Sequence, residues 1–176
     1  DNTPQSDYPS PQGGYWKHMI PDMPNFSPKT ALVLGVGGGT TCRMLLEKFP
    51  SIKIIGVDNN QEILEEARKY LKLDELSIEL IVDDAFKYVN TAAGKVDLIL
   101  IDIFNGFWFP FAVFTNPFIA RCKELLNEHG WLYINTPNLD FLAQLSTKNI
   151  YKKNIEVNTI YSFENIDKIE EKEYKK

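Results

Sequence analysis

Short apolar runs alternate with amphipathic stretches along this sequence, and the alternation restricts the fold more than any other feature. Strands that are apolar on both sides are typical of parallel sheets covered by helices on both faces, and repeated strand–helix units produce such sheets. The sequence therefore predicts an α/β fold, a Rossmann-like, doubly wound, mostly parallel sheet in a single domain. A further helix is predicted at 139–145 and a sixth strand at 155–163. The main predicted strands are 31–34, 52–57, 77–82, 96–101 and 131–135, and the helices between them are 41–49, 61–71, 84–89 and 117–126.

The first 28 residues have a different composition from the rest. They contain six of the ten prolines, so 1–28 is predicted to be an N-terminal arm or linker, anchored by the aromatic island 15–20. The Rossmann-like domain is predicted to cover 29–163, and 164–176 is a charged C-terminal tail. A chain of 176 residues suits one domain. Because the sequence does not begin with Met, we expect it to be part of a longer chain.

Charge, cysteine content and hydropathy argue against several classes of protein. Lys and Arg total 19 against 24 Asp and Glu, and a net charge of −5 disfavours nucleic-acid binding, which depends on a basic surface. Cys42 and Cys122 cannot form a disulfide framework, and His18 and His129 lack metal-ligand spacing. No apolar run approaches the roughly 20 residues of a membrane span. We therefore expect a cytoplasmic protein that binds no metal, membrane or nucleic acid.

A glycine-rich turn, Gly-Val-Gly-Gly-Gly-Thr-Thr, follows the first predicted strand. Open parallel sheets bind ligands beyond the carboxyl ends of their strands. Glycines let the backbone approach a ligand closely, and the next helix presents free N–H groups at its N-terminus. We predict that Gly35, Gly37, Gly38 and Gly39 contact a cofactor. A tight strand-to-helix turn without a ligand is the alternative interpretation.

Acidic residues follow the second and third predicted strands. Asp58 lies about 20 residues beyond the turn, where a carboxylate accepts the hydroxyls of a ribose, and Asn59 follows it. Asp84 and Ala85 suit an adenine whose amine meets a carboxylate and whose ring nitrogen meets a backbone N–H, although Asp84 is also a candidate helix N-cap. These four residues are predicted to bind an adenosyl-sulfonium cofactor. A nicotinamide dinucleotide is disfavoured because its Gly-x-Gly-x-x-Gly/Ala motif would place Thr40 at the third conserved position.

The fourth predicted strand ends in Asp102, close to where the reacting group should lie. A carboxylate in an apolar cleft orients an amine or accepts a proton, although Asp102 is also a candidate acceptor for neighbouring N–H groups. We assign Asp102 to the cofactor-binding residues and, with Asn105, to the catalytic residues. The segment 104–114 holds six aromatic residues, and we expect a small-molecule acceptor beneath it, where a ring face can hold a cation.

Several segments carry a resemblance to a known family. They are 34–40 (LGVGGGT), 56–58 (GVD), 82–86 (VDDAF), 96–102 (VDLILID) and 125–132 (LLNEHGWL), with shorter matches at 115–118 (TNPF) and 15–20 (YWKHMI). In order and spacing they resemble the class I S-adenosylmethionine-dependent methyltransferase superfamily, and within it the spermidine synthase-like branch. The resemblance implies that the glycines approach the amino-acid portion of the cofactor, that Asp58 holds the ribose, and that Asp84 with Ala85 holds adenine. Asp102 would face the reacting end.

Two departures from this branch bear on the reaction. Its aminopropyltransferases have an acid in the glycine turn that meets the amine of decarboxylated S-adenosylmethionine, and this chain has Gly38 there. Their supposed base is an acid where this chain has Asn105. A turn without that negative charge accommodates the carboxylate of complete S-adenosylmethionine, and methyl transfer demands less of a proton acceptor.

The sequence thus predicts a transferase that uses S-adenosylmethionine or its decarboxylated form, without a metal. Methyl transfer to an unidentified acceptor is favoured over aminopropyl transfer that makes a polyamine. The alternatives are a non-catalytic module that binds adenosyl compounds and, more distantly, a dinucleotide-dependent oxidoreductase. A homo-oligomer is compatible with the sequence.

Overall fold

The computed structural model of the protein describes residues 14–104, 108–137, 151–155 and 158–164. Asn105, the predicted helix 139–145, the predicted tail beyond Glu164 and residues 1–13 of the predicted arm lie outside these ranges. Within the described part, the predicted fold class is confirmed, because helices cover both faces of a mostly parallel sheet.

The described residues form a sheet of seven strands in the order β3-β2-β1-β4-β5-β7-β6. The neighbours among β1 to β5 pair in parallel, and β7 runs antiparallel to β5 and to β6. The chain thus builds outward from β1 in both directions, as a doubly wound sheet does. The strands are β1 (Thr30–Leu34), β2 (Lys53–Asp58), β3 (Ile78–Val82), β4 (Val96–Ile101), β5 (Leu126–Pro137), β6 (Tyr151–Ile155) and β7 (Asn158–Glu164).

Strand register brings the carboxyl ends of three central strands to one edge of the sheet. Leu34, the last residue of β1, pairs with Val57 of β2 on one side and with Ile101 of β4 on the other. Asp58 and Asp102 are the residues that follow these two partners in the sequence. Since strand order reverses at β1, the sheet opens a crevice at this edge, and both acids lie beside it.

Five α-helices of the described residues cover the faces of the sheet. They are α1 (Trp16–Met19), α2 (Thr40–Lys48) and α3 (Gln61–Leu71) on one face, and α4 (Ala85–Thr91) and α5 (Asn116–Leu125) on the other. Successive residues of β1 pack on opposite faces of the sheet. Val33 belongs to a buried cluster with Leu45 of α2, and Leu32 belongs to another with Ile119 of α5. In the described part of the chain, none of the helices has the length and apolarity that crossing a bilayer requires.

The aromatic island of the arm packs against the domain. Trp16 and Met19 are 4% and 0% exposed, and their short helix α1 contacts α2 and β5. This packing holds Tyr15, the residue before α1, at the carboxyl edge of the sheet.

The last strands differ from the sequence prediction. β5 begins at Leu126 because the start of the strand also pairs with the start of β4, where Val96 lies opposite Leu126. The strand predicted at 155–163 corresponds to β7, and a further strand, β6, precedes it and pairs with it in antiparallel orientation. The prediction missed β6 because it is an edge strand with the sequence Tyr-Lys-Lys-Asn-Ile, and the lysines typical of edge strands obscure the apolar pattern.

Candidate active site

A cleft of about 580 Å³ opens at the carboxyl ends of β1, β2 and β4. Its volume falls within the range of about 300–1,000 Å³ that small-molecule sites occupy. Gly39 is not among its lining residues, and Asn105 lies outside the described part of the chain. The predicted site residues that line the cleft are Gly35, Gly37, Gly38, Asp58, Asn59, Asp84, Ala85 and Asp102.

The glycine turn forms one wall of the cleft. At Gly37, φ is 50° and a Cβ would meet no atom within 4 Å, so this glycine borders open space. At Gly35, φ is 90° and a Cβ would collide with the backbone carbonyl oxygen of Asp102. Gly37 therefore leaves room for a ligand, whereas Gly35 lets the ends of β1 and β4 approach each other.

Gly39 lies at the start of α2 and is absent from the residues that line the cleft, so its predicted contact with a cofactor stays a prediction. It is the N-cap of α2, with a φ of 83°, and its N–H donates a 2.9 Å hydrogen bond to the carbonyl oxygen of Val36. A Cβ on Gly39 would lie 2.7 Å from the Leu73 side chain, so the residue faces the protein interior.

Asp58 fastens the glycine turn to the end of β2. Its Oδ2 accepts hydrogen bonds from the N–H groups of Val36 at 2.8 Å and Gly37 at 2.9 Å, and its Oδ1 accepts one from Asn60 at 2.9 Å. A carboxylate has about four lone-pair sites, so about one is left for a ligand. Asp58 can thus accept a further hydrogen bond from a ribose hydroxyl in this arrangement, and Asn59 lines the cleft beside it.

Asp84 and Ala85 lie at the start of α4. Asp84 is its N-cap, since Oδ1 accepts a 2.9 Å hydrogen bond from the N–H of Lys87. Ala85 is the first residue of the helix, where an N–H group has no partner within the helix. The N-cap role and a ligand contact are compatible, because capping engages one carboxylate oxygen and both residues line the cleft.

Asp102 lies deep in the cleft and is held on two sides. Its Oδ2 accepts a 3.1 Å hydrogen bond from the Tyr15 hydroxyl, and its Oδ1 accepts a 2.8 Å hydrogen bond from the Asn135 amide. Burial raises the pKa of Asp102 to about 6, the two hydrogen bonds oppose that rise, and the charge of Asp58 adds to it. The carboxyl therefore titrates close to neutral pH, where a proton acceptor is most effective.

Tyr15 and its neighbour Trp16 were not among the predicted site residues, yet both line the cleft. Burial, followed by the charge of Asp102, raises the pKa of Tyr15, so the phenol stays protonated and acts as a hydrogen-bond donor. The rings of Tyr15 and Trp16 lie 4.8 Å apart. The aromatic character of the island 15–20 was the available signal, but the sequence does not show which strand end the island meets.

The aromatic segment divides into three groups. Phe104 and Pro110 line the cleft. Phe109 and Phe114 are buried in the core and pack on each other with ring centroids 5.3 Å apart. The side chains of Trp108 and Phe111, 79% and 51% exposed, face solvent. Only Phe104 and Pro110 of the segment thus border the predicted acceptor position in the described part of the chain.

A second cleft, of about 560 Å³, lies at the opposite edge of the sheet. It is lined by the first residues of four strands, Thr30, Lys53, Ile78 and Val96, and contains none of the predicted site residues. Within 14–104, 108–137, 151–155 and 158–164, no three His, Cys, Asp or Glu residues are grouped so that they could hold a metal ion.

Comparison with known proteins gives one family. A family model described as a methyltransferase domain matches residues 31–130, more than half of the chain. A polyamine aminopropyltransferase from Chromobacterium violaceum is 33% identical over 113 residues, which are 63% of this chain and 43% of that protein. The chain spans about half the length of the curated relatives it matches.

Two solved structures share the fold. Human methyltransferase-like protein 13, solved in complex with SAH, has a TM-score of 0.68 at 22% identity, over 77% of this chain and 71% of that chain. Spermidine synthase from Thermotoga maritima has a TM-score of 0.61 at 23% identity, over 79% of this chain and 54% of that chain. At these identities the likeness establishes the fold alone.

Proposed function

Since the chain belongs to the methyltransferase domain family, in a spermidine synthase-like form, we propose that it transfers an aminopropyl group from decarboxylated S-adenosylmethionine to an amine. The observation that carries the proposal is the deep carboxyl of Asp102, held by Tyr15 and Asn135 at the reacting end of the cleft. The names of the curated relatives support the same reaction. This reverses the order of preference in the sequence analysis, which placed methyl transfer first.

An amine acceptor explains why an acid is needed at this point. An alkylammonium with a pKa near ~10 must lose a proton before its nitrogen can attack carbon. The sulfonium donor supplies an electrophilic carbon and a neutral thioether as leaving group. Asp102, ionised at neutral pH, first takes a proton from the ammonium. The lone pair that is freed on nitrogen then forms the N–C bond as the C–S bond breaks. Tyr15 and Asn135 hold the carboxyl in place, so Asp102 carries the role that Asn105, a neutral amide, cannot.

The residues present fit an adenosyl compound. Open space at Gly37 leaves room beside the turn, where a Cβ would intrude on it. Asp58 has about one lone-pair site left for a ribose hydroxyl, and Asn59 lies next to it. Asp84 and the N–H of Ala85 suit an adenine. We assign these residues and Gly38 to cofactor binding, with Gly35 shaping the turn.

Methyl transfer from complete S-adenosylmethionine is the second candidate, and Gly38 favours it. Gly38 lines the cleft where the resembled enzymes carry an acid for the donor's ammonium group. Among the described lining residues the acids are Asp58, Asp84 and Asp102, and none of them belongs to the turn. The proposed aminopropyl donor must therefore bind its ammonium group without an acid in the turn.

Product analysis by mass spectrometry separates these candidates. The protein is incubated with decarboxylated S-adenosylmethionine and putrescine, and separately with S-adenosylmethionine and putrescine. We expect methylthioadenosine and an aminopropylated amine from the first mixture, and their loss in Asp102→Asn but not in Asp74→Asn, a matched change of an exposed acid. S-adenosylhomocysteine from the second mixture alone would establish methyl transfer. Calorimetric binding of methylthioadenosine without turnover of either donor would establish a non-catalytic module.

The acceptor is proposed to be a small molecule bound between Tyr15 and Phe104, at the inner end of the aromatic segment. A cytoplasmic setting and a homo-oligomer stay predictions. Light scattering on the purified protein measures the oligomeric state directly.

A further inference from the structure

We infer that Asn158 of β7 is a positioning residue for Asp102, because it fixes the amide of Asn135 so that its NH₂ group faces the carboxyl. The inference rests on the proposed function only in naming Asp102 as the proton acceptor. The geometry behind it, and the measurement that tests it, involve the protein without any ligand.

Three side chains on adjacent strands form a hydrogen-bonded chain. The Asn158 amide nitrogen donates a 2.8 Å hydrogen bond to Oδ1 of Asn135, and the Asn135 amide nitrogen donates a 2.8 Å hydrogen bond to Oδ1 of Asp102. Asn135 is 0% exposed, so it has no access to water as an alternative partner. Asn158 is half-buried. The antiparallel edge of the sheet is thereby connected to the acid at the end of β4.

The orientation of the Asn135 amide decides which form of Asp102 it favours. An amide has a donor end and an acceptor end. With its NH₂ toward Asp102, Asn135 stabilises the carboxylate, as it does here. Turned by half a rotation, it would present its oxygen, which accepts a hydrogen bond from the protonated acid and repels the ionised one. Hydrogen bonding to the neutral form raises the pKa of an acid.

Asn158 opposes this turn at the far end of the amide. In the turned orientation, the NH₂ of Asn135 would face the NH₂ of Asn158, and two donors would meet where Asn135 has no access to water. Asn158 therefore keeps Asn135 in the orientation that supports the ionised, proton-accepting form of Asp102. In the part of the chain that the structure describes, the other titratable groups that face Asp102 are Tyr15, from the segment before α1, and Asp58, from the end of β2.

The test is a pH titration of the Asp102 carboxyl by NMR in the full chain labelled with ¹³C-aspartate, with the resonance assigned from Asp102→Asn. Asn158→Leu and Asn158→Ala remove the donor at a half-buried position, where a change of side chain is tolerated better than at Asn135. Ser162→Ala is the matched control, since Ser162 is half-buried on the same strand. We expect both Asn158 variants to raise the pKa of Asp102 by about one unit and the control to leave it unchanged.

Unchanged titration of Asp102, within about 0.2 unit, in either folded Asn158 variant would overturn the inference. A rise in Asn135→Leu alone would also overturn it, because Asn135 would then hold its own orientation. The experiment contains no substrate, so its result is independent of the proposed reaction. If the Asn158 variants raise the pKa of Asp102 but the protein turns over neither donor, the role of Asn158 is retained and the proposed function is rejected.

Discussion

The hydroxyl of Tyr15 donates a hydrogen bond of 3.1 Å to Oδ2 of Asp102, across 87 positions of sequence. This contact joins the aromatic island of the arm to the end of β4. Because Tyr15 is held by the packing of α1, the arm contributes directly to the environment of the proposed proton acceptor.

Replacing Tyr15 with Phe should raise the pKa of Asp102 above its value of about 6. The ring is kept, but the carboxylate loses a donor that stabilises its ionised form. We expect a rise of about one unit, which moves the acidic limb of the pH–rate profile to higher pH by the same amount. If Tyr15 served only to pack the arm against the domain, the acidic limb of the pH–rate profile would not shift.

Asp102 should make folding less favourable as pH rises. Its folded-state pKa, about 6, lies above its ordinary value of 3.8, so the folded protein binds this proton more tightly than the unfolded chain does. The resulting stabilisation is complete below the ordinary value and is lost as pH passes about 6.

Urea unfolding of the wild type and Asp102→Asn at pH values on either side of this window measures the effect. Because the carboxyl keeps some contact with solvent, we expect the wild type to lose about 2 kcal/mol relative to the variant as pH rises. A pH-independent difference between the two proteins would show that burial does not perturb this carboxyl.

Asp58→Ala should lower both ligand affinity and stability. The carboxylate accepts hydrogen bonds from Val36 and Gly37, and its removal leaves two N–H groups of the turn without their acceptor, at a cost of about 1–3 kcal/mol. Denaturant unfolding measures the stability, and calorimetry with methylthioadenosine measures the affinity. Asn59→Ala, a change at the exposed neighbour, should affect the affinity alone. Unaltered unfolding of Asp58→Ala would mean that the turn holds its shape without this anchor.

Gly35 and Gly37, two of the three glycines that line the cleft, should respond differently to alanine. Gly37→Ala adds a methyl group in open space, so the fold should persist with a strain of about 1 kcal/mol from its left-handed backbone, while methylthioadenosine affinity falls. Gly35→Ala drives a methyl group into the carbonyl of Asp102 and should lower the thermal midpoint strongly. Equal thermal midpoints for the two variants would contradict this assignment.

The position of the site could be predicted from the sequence because the apolar runs show where the strands end. Residues that follow apolar runs in a parallel sheet share an edge, and this places Gly37, Asp58, Asp84 and Asp102 around one cleft. The register agrees with this, because Leu34 at the end of β1 pairs with residues at the ends of β2 and β4.

Other features depend on contacts that no local pattern encodes. The hydrogen bond between Tyr15 and Asp102 depends on how α1 packs against α2 and β5. The inward direction of Gly39 depends on Leu73, a residue of a separate turn. The hydrogen bond from Asn158 to Asn135 depends on the antiparallel pairing of β7 with β5. The sequence predicts a strand at this place but does not give its direction.

Calorimetric titration of methylthioadenosine into the wild type and into Gly37→Val tests most directly whether an adenine nucleoside occupies the cleft at the carboxyl ends of β1, β2 and β4. The valine side chain extends into the open space beside the turn. We predict saturable binding to the wild type. In the folded variant we predict an affinity that is lower by at least about tenfold, which corresponds to about 1.4 kcal/mol of binding free energy. Equal affinity in both proteins, or no binding to the wild type, would contradict the account.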